Sequence, residues 1–386
     1  MRSLEMRSRV IGLSVAMALG LVACGSGASD DMRAEVVENY ADLVLESYQI
    51  SLDSATTMDE AIDAFVADPN AETLAAAQDA WLTARDDYGP TEAFRFYGGP
   101  IDNEENGVEG LLNAWPLDEA YIDYVDGSPD AGVINLPDEY PTIDADLLVS
   151  LNEQGGEANI STGWHAIEFL LWGQDLSTDG AGTRPVEDYT TGANADRRAA
   201  YLTLASDLLL THLGQMVDAW APDGDNYRVE FLALPPEEAL GMIMTGMGEM
   251  SRGELAGERM TVAYEARSQE DEHSCFSDNT TNDIIGNAFG VERVYLGQVG
   301  AVDGPGIYDL VAADDQDLAD RLADEIAVSV ALAGEIPPPF DQHLVEGVSD
   351  EDPGRVAIFD TIVSLEGQTD TIVEAADALE VDLNLS

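Results

Sequence analysis

Apolar residues recur at three- and four-residue spacing along most of the chain, which is the signature of amphipathic helix. The pattern predicts helices over Met32–Ser51, Asn70–Tyr97, Ile160–Trp172, Asn194–Trp220, Pro236–Phe276, Ile284–Leu296, Asp315–Ala333 and Pro353–Leu379. Alternating, strand-like stretches are scarce. Asp68-Pro69-Asn70 and Leu234-Pro235-Pro236 read as helix starts, because proline fits the first turn, where its missing N–H is not needed. Gly98-Gly99-Pro100 and Pro337-Pro338-Pro339 punctuate helix ends. The fold class predicted is all-α.

The segment 98–159, with Pro116, Pro129, Pro137 and Pro141, breaks the pattern. It is too long for a plain connection and reads as a functional insertion. Sliding the sequence on itself aligns Ile167–Gln174 with Val291–Gln298, and Glu168–Gly182 with Glu292–Gly306 without a gap and with six identities. With the insertion removed, Ala84-Arg85 and Phe94 align with Ala266-Arg267 and Phe276. The expectation is two similar helical bundles, 34–222 and 235–386, related by internal duplication and packed together, the first carrying the insertion.

The N-terminus departs from the helical pattern. Arg2, Arg7 and Arg9 precede an apolar run from Val10 to Val22, a secretory signal too short to span a bilayer. Leu21-Val22-Ala23-Cys24 resembles a lipobox, so residues 1–23 read as signal peptide. Residues 24–33 then read as a lipidated N-terminus and tether, rich in small residues after Cys24. Gly25 after the cysteine is compatible with outer-membrane sorting, placing the protein lipid-anchored in a bacterial envelope. With Cys24 acylated, Cys275 has no disulfide partner.

Charge sharpens the picture. Acidic residues number 76 and basic residues 16, all arginine, for a formal net charge of −60. Nothing here can neutralise a phosphate backbone, so nucleic acid is excluded as a partner. A hydrophobic content of 45% excludes a disordered chain. What remains is a folded core under an acidic shell, suited to a saline exterior.

Candidate chemistry centres on Gly163-Trp164-His165-Ala166-Ile167-Glu168, where His165 and Glu168 share one helix face. In apolar surroundings both polar groups need partners. His343 has Glu346 at the same spacing, in predicted loop, and shows that bare spacing is weak evidence. Arg85, Tyr88, Glu92 and Arg95 fall on one face and suggest a buried network, with Arg85 or Arg95 orienting Glu92. Asp271, Glu272, His273 and Asp278 form a second donor cluster near a helix end, with Cys275 inside it as a small buried thiol. His212, among leucines, reads as structural. The chain has no His-Glu-x-x-His, Gly-x-Ser-x-Gly or Cys-x-x-Cys-His motif and no Gly-rich phosphate loop.

The undecapeptide around His165 resembles the Gly-x-His-x-x-Glu signature of the imelysin-like family, which includes insulin-cleaving membrane proteases and iron-regulated lipoproteins. Thr83–Tyr97 is similar to that family's first-bundle segment. Trp115–Val125 and Glu270–Thr280 are similar to its iron-regulated branch. The resemblance covers essentially the whole mature chain. It implies two helical bundles with the signature near their interface and a role in iron acquisition. His165 and Glu168 are then expected as metal ligands, with Glu92, Asp271, Glu272 and His273 as partners across the interface. Arg85, Tyr88, Arg95 and Asp278 would support them. The ligand expected is a metal ion or metal chelate held without need of thiolate, iron first with zinc or manganese as alternatives, and partner proteins of an uptake system are implied. The competing reading is a metallopeptidase using His165 and Glu168, and a third is a scaffold presenting the 98–159 insertion.

Overall fold

The computed structural model describes residues 28–385. The expected signal peptide, residues 1–23, and the expected lipidation site Cys24 lie outside the described residues.

Helix α1 (Asp30–Ala67) opens on Ser29, whose hydroxyl accepts from the Met32 N–H. It therefore claims residues 30–33, which the sequence reading left to the tether. It also runs well past Ser51, because Ala55, Met58, Ile62 and Phe65 continue its buried stripe through a polar-rich stretch. Helix α2 (Ala71–Tyr88) starts with an Asn70 capping box. It ends where Gly89-Pro90 tightens the chain into a 3-10 turn, Gly89–Phe94. The predicted insertion contains short helices α3 (Glu109–Leu112), α4 (Glu119–Ile122) and α5 (Ala145–Leu151). Then come α6 (Gly163–Trp172), α7 (Ala195–Trp220) and α8 (Tyr227–Leu232). Helix α9 (Pro236–Gly248) continues through a wide π-type stretch, Glu249–Thr261, into α10 (Val262–Ala266). The remaining helices are α11 (Thr280–Leu296), α12 (Ile307–Asp314), α13 (Gln316–Ala333) and α14 (Pro353–Ala378). A two-residue hairpin, Gln298–Val299 with Val302–Asp303, is the strand content among the described residues.

Four helices of the first half close into a ring: α1 packs on α2 and α7, and α6 packs on the same two. In the second half the α9–α10 rod, α11, α13 and α14 each pack on the next, and α14 returns to the rod. The fold is thus all-α and built from two four-helix rings in the same chain order. The match between Glu168–Gly182 and Glu292–Gly306 pairs α6, third in its ring, with α11, second in its ring. The sequence match therefore does not pair helices that hold the same place in the two rings.

The rings meet where α11 crosses the Gly89–Phe94 turn. A Cβ on Gly290 would stand 2.4 Å from the Pro90 carbonyl oxygen, so only glycine permits this approach. The insertion is folded down rather than free. Asp123, buried beside α4, accepts from Arg198 Nε at 2.6 Å and Arg184 Nη1 at 2.9 Å. Arg197 donates to the Ile134 and Val133 carbonyls.

The helix expected over Pro236–Phe276 stops at Ala266, with Arg267 left-handed at φ 52°. Residues 272–277 that follow are all buried, and the chain there is irregular. His343 falls in the connection between α13 and α14, in keeping with the loop expected there. It lies in a buried turn, with Nδ1 2.9 Å from Asp352 Oδ1 and Nε2 3.1 Å from the Pro337 carbonyl oxygen. His212 sits on the buried side of α7, as a structural histidine should. No helix among the described residues is long and apolar enough to cross a membrane.

Candidate metal centre

Every residue of α6 is buried. Its first residue, Gly163, has φ 85°, and a Cβ there would meet the Leu112 carbonyl oxygen at 2.4 Å. The glycine of the signature is thus a backbone requirement: the chain turns into α6 directly against the insertion. The helix is held laterally by Trp81 Nε1, which donates to the Trp164 carbonyl at 3.1 Å.

His165 Nδ1 lies 2.9 Å from Glu168 Oε2. The other carboxylate oxygen, Oε1, accepts from the Ser277 N–H at 2.9 Å and the Ser277 hydroxyl at 2.7 Å. Burial pushes Glu168 up to about 8, against which the Ser277 bonds act only partly. Burial and the neighbouring His273 and Arg85 hold His165 well below its ordinary value. Both shifts disfavour an ion pair in the metal-free site; Nε2 is open for coordination when the neutral imidazole donates its Nδ1–H to Glu168. His165 Nε2 is buried and has no hydrogen-bond partner.

The second half supplies a matching pair. His273 lies with its ring 4.7 Å from that of His165, inclined at 72°. Its Nδ1 is 2.8 Å from Asp283 Oδ2, on α11. Burial, Arg259 and Arg85 lower His273 to about 4, although Asp283 opposes them. Asp283 is itself raised by burial, but Arg85 and His273 overcome this and hold it well below the carboxylate range. Arg85 grips it bidentately, with Nε to Oδ1 and Nη2 to Oδ2 both at 3.1 Å. Ser274 Oγ donates to the same carboxylate at 2.6 Å.

Each imidazole thus has its Nδ1 occupied by a carboxylate from its own half. That arrangement fixes tautomer and ring orientation, as around metal-ligating histidines, and leaves Nε2 as the donor. Glu168 enters as the group that orients His165 rather than as a ligand with free oxygens.

The predicted network is present but differently wired. Glu92 is 1% exposed. Its Oε2 accepts from Arg95 Nη1 at 3.0 Å and from Arg259, and its Oε1 from Asn113 Nδ2 at 3.0 Å. Arg95 therefore orients Glu92, whereas Arg85 serves Asp283 and also bonds Asn113. Burial alone would raise Glu92, but Arg259 and Arg95 bring it to about 2. With both oxygens committed to these donors, Glu92 is an anchor of the network and not a free ligand. Tyr88 packs under the Arg85 guanidinium, 5.3 Å from ring centre to carbon, and against Trp164. Asp271 stands half-buried in the turn Gln269–Asp271, in no side-chain ion pair. Glu272 and Asp278 belong to a separate carboxylate group with Asp175 and Asp341. Buried Cys275 is held as thiol by its surroundings.

A cleft of about 360 Å³ reaches His273 from solvent, lined by Trp115, Glu109, Glu254, Glu258 and Arg259 among others. Trp115 sets its ring edge-on to His273 at 5.9 Å. Asp283, Asn113, Ser277 and Arg259 were not singled out from sequence. The usable signal for Asp283 was its place in the core stripe of α11, with Asn287, Gly290 and Val294.

Comparison with known proteins shows the family and the fold. The family model for imelysin matches residues 44–372. Iron-regulated protein A of Synechococcus elongatus is 27% identical over 384 residues, covering 96% of this chain and 93% of its own. A crystal structure designated an iron-regulated protein A precursor, from Parabacteroides distasonis, superposes with a TM-score of 0.70 at 18% identity. It covers 91% of this chain and 97% of its own, a likeness of fold.

Proposed function

The chain belongs to the imelysin family, and on that premise we propose that it binds iron, as the ion or a small chelate, at the junction of its two rings. His165 and His273 hold the metal through Nε2. Glu168 and Asp283 orient them, and the acidic cleft over His273 is the entrance. The observation that carries this reading is the buried, unpartnered Nε2 of His165 beside a second imidazole, each ring held at Nδ1 by its own carboxylate. Two nitrogens do not fill an iron shell, so water or the chelate's own oxygens complete it. Iron is cargo here, and the name of the Synechococcus relative supports that choice over zinc or manganese.

Reversible binding needs donors but no poised base. The carboxylates nearest the imidazoles are engaged: Glu168 by His165 and Ser277, Asp283 by Arg85, His273 and Ser274. This favours binding over peptide hydrolysis. We also propose the cellular setting read from the N-terminus: a lipid anchor at Cys24 in a bacterial envelope, handing iron to partner proteins of an uptake system.

The test is calorimetric titration with ferrous and ferric ions and a ferric chelate, in molar salt to suppress adsorption on the acidic surface. Wild type should bind one equivalent saturably, and His165→Ala and His273→Ala should each lose it while keeping the wild-type circular dichroism. Equal stoichiometry and affinity in all three proteins refutes the assignment.

A further inference from the structure

The fold neutralises its interior carboxylates with arginine. Asp123 takes Arg184 and Arg198, Asp283 takes Arg85, and Glu92 takes Arg95 and Arg259. Glu168 is met instead by His165 and Ser277, and one further group departs from this practice. Donor atoms of Asp175, Asp278 and Asp341 lie within 4.8 Å of one another, and no ion pair to arginine is found for any of the three among the described residues. Asp341 is 0% exposed, and neither of its oxygens makes a well-formed hydrogen bond. Asp278 Oδ1 is buried and likewise unpartnered. Behind them Glu272, also 0% exposed, has neither oxygen in a well-formed hydrogen bond, is relieved only in part by the Thr280 hydroxyl, and feels the field of Asp341 and Asp278. Asp175 is better served, accepting from the Ser177 N–H at 2.9 Å and from Gln269 Nε2.

Unpaired buried carboxylates cost several kcal/mol each unless protonated or met by a cation. Burial and mutual repulsion hold Asp278 at about 7 and Asp175 at about 6. All donors of the group are hard oxygens, the preference of calcium-class ions, and oxygen bonds of about 2.4 Å can bridge a span of this size. Imidazole is absent from the three, so the site suits a different ion from the one the histidine pair takes.

We propose that Asp175, Asp278 and Asp341 form a calcium-class cation site, with Glu272 adding charge from behind. Its position gives it a task. Asp175 follows the end of α6, Asp278 lies in the irregular stretch before α11, and Asp341 lies in the turn before α14. The ion therefore staples the first ring to the second. It also pins the stretch that carries His273 and the Ser277 contact to Glu168. The site stands independently of iron binding.

The experiment is thermal unfolding and calorimetry of chelator-treated protein in molar sodium chloride, with calcium or magnesium added. Wild type should bind one calcium saturably and gain about 3 °C in Tm at a hundredfold excess over Kd. Asp341→Asn and Asp175→Asn should abolish that saturable step, whereas His165→Ala and the exposed control Asp317→Asn should keep it. Without added cation, Asp341→Asn should melt at or above wild type, because an unpaired charge has been removed. An identical calcium response in wild type and both site variants, or no saturable response in wild type, overturns the proposal.

Discussion

Replacing Glu92 with glutamine removes the charge on which Arg259 and Arg95 converge while keeping side-chain shape. The carboxylate is fully buried and accepts from both guanidinium groups and from Asn113. Its affinity for a proton falls from an ordinary 4.5 to about 2. At about 1.4 kcal/mol per tenfold change in proton affinity, that is on the order of 3 kcal/mol of stability at neutral pH. Removing one partner of a buried pair costs a similar 3–5 kcal/mol or so. Arg259 keeps Glu254 and Arg95 keeps Glu109, so the lower end is expected. The folded state holds this proton less tightly than the unfolded chain. The stabilisation is therefore fully present above about 4.5 and is lost as pH falls through about 2. Urea unfolding of wild type and Glu92→Gln in molar salt should thus differ by about 3 kcal/mol near pH 7, and the gap should close towards pH 2. Salt should barely change the gap, because the pair is buried. A penalty below about 1 kcal/mol at neutral pH, or a gap that does not move with acid, refutes the electrostatic account.

Gly163→Ala should destabilise by about 2–4 kcal/mol, since it combines a positive φ with a Cβ driven into the Leu112 carbonyl; a loss under about 0.5 kcal/mol in chemical denaturation would show that α6 can shift freely. Cys24→Ser should move the protein from the membrane fraction to the soluble one, and mass spectrometry of the mature N-terminus should show the acyl chains lost; unchanged fractionation with no lipid on the wild type refutes the anchor.

The helical rings were legible because their information is local. Periodic apolar residues, the Asn70 cap and the glycine and proline breaks each act within a few positions. The signature around His165 was legible for the same reason. The wiring was not. Arg85 and Glu92 share a helical face in sequence, yet Arg85 reaches across to Asp283, far along the chain. With 76 acidic residues, nothing local marks which ones Arg85, Arg259 and Arg198 will meet. The break after Ala266 was hidden because Glu270–Phe276 has a composition that a helix tolerates. What acts there is contact with the other ring, where the Ser277 N–H and hydroxyl bond Glu168, and not a property of the segment alone. Asp175 and Asp341 carried no signal at all, because they meet Asp278 only in the folded molecule.

Cation scarcity links the two sites. A net charge of −60 can be carried on the surface, where salt screens repulsion within about 8–10 Å. The interior has no such screening, and this chain has 16 arginines and no lysine with which to neutralise it. Several of those arginines are spent inside, on Asp123, Asp283 and Glu92. They fix the insertion, the His273 pair and the network beneath it. The stretch 272–279 is where the allocation runs out. It brings Glu272 and Asp278 into the interior with no guanidinium to meet them, next to a Glu168 that burial already holds near 8. A segment built this way is least stable as bare protein and gains most from a bound cation. It is also the segment that completes the imidazole pair. Metal occupancy and the order of the ring junction are therefore expected to rise together.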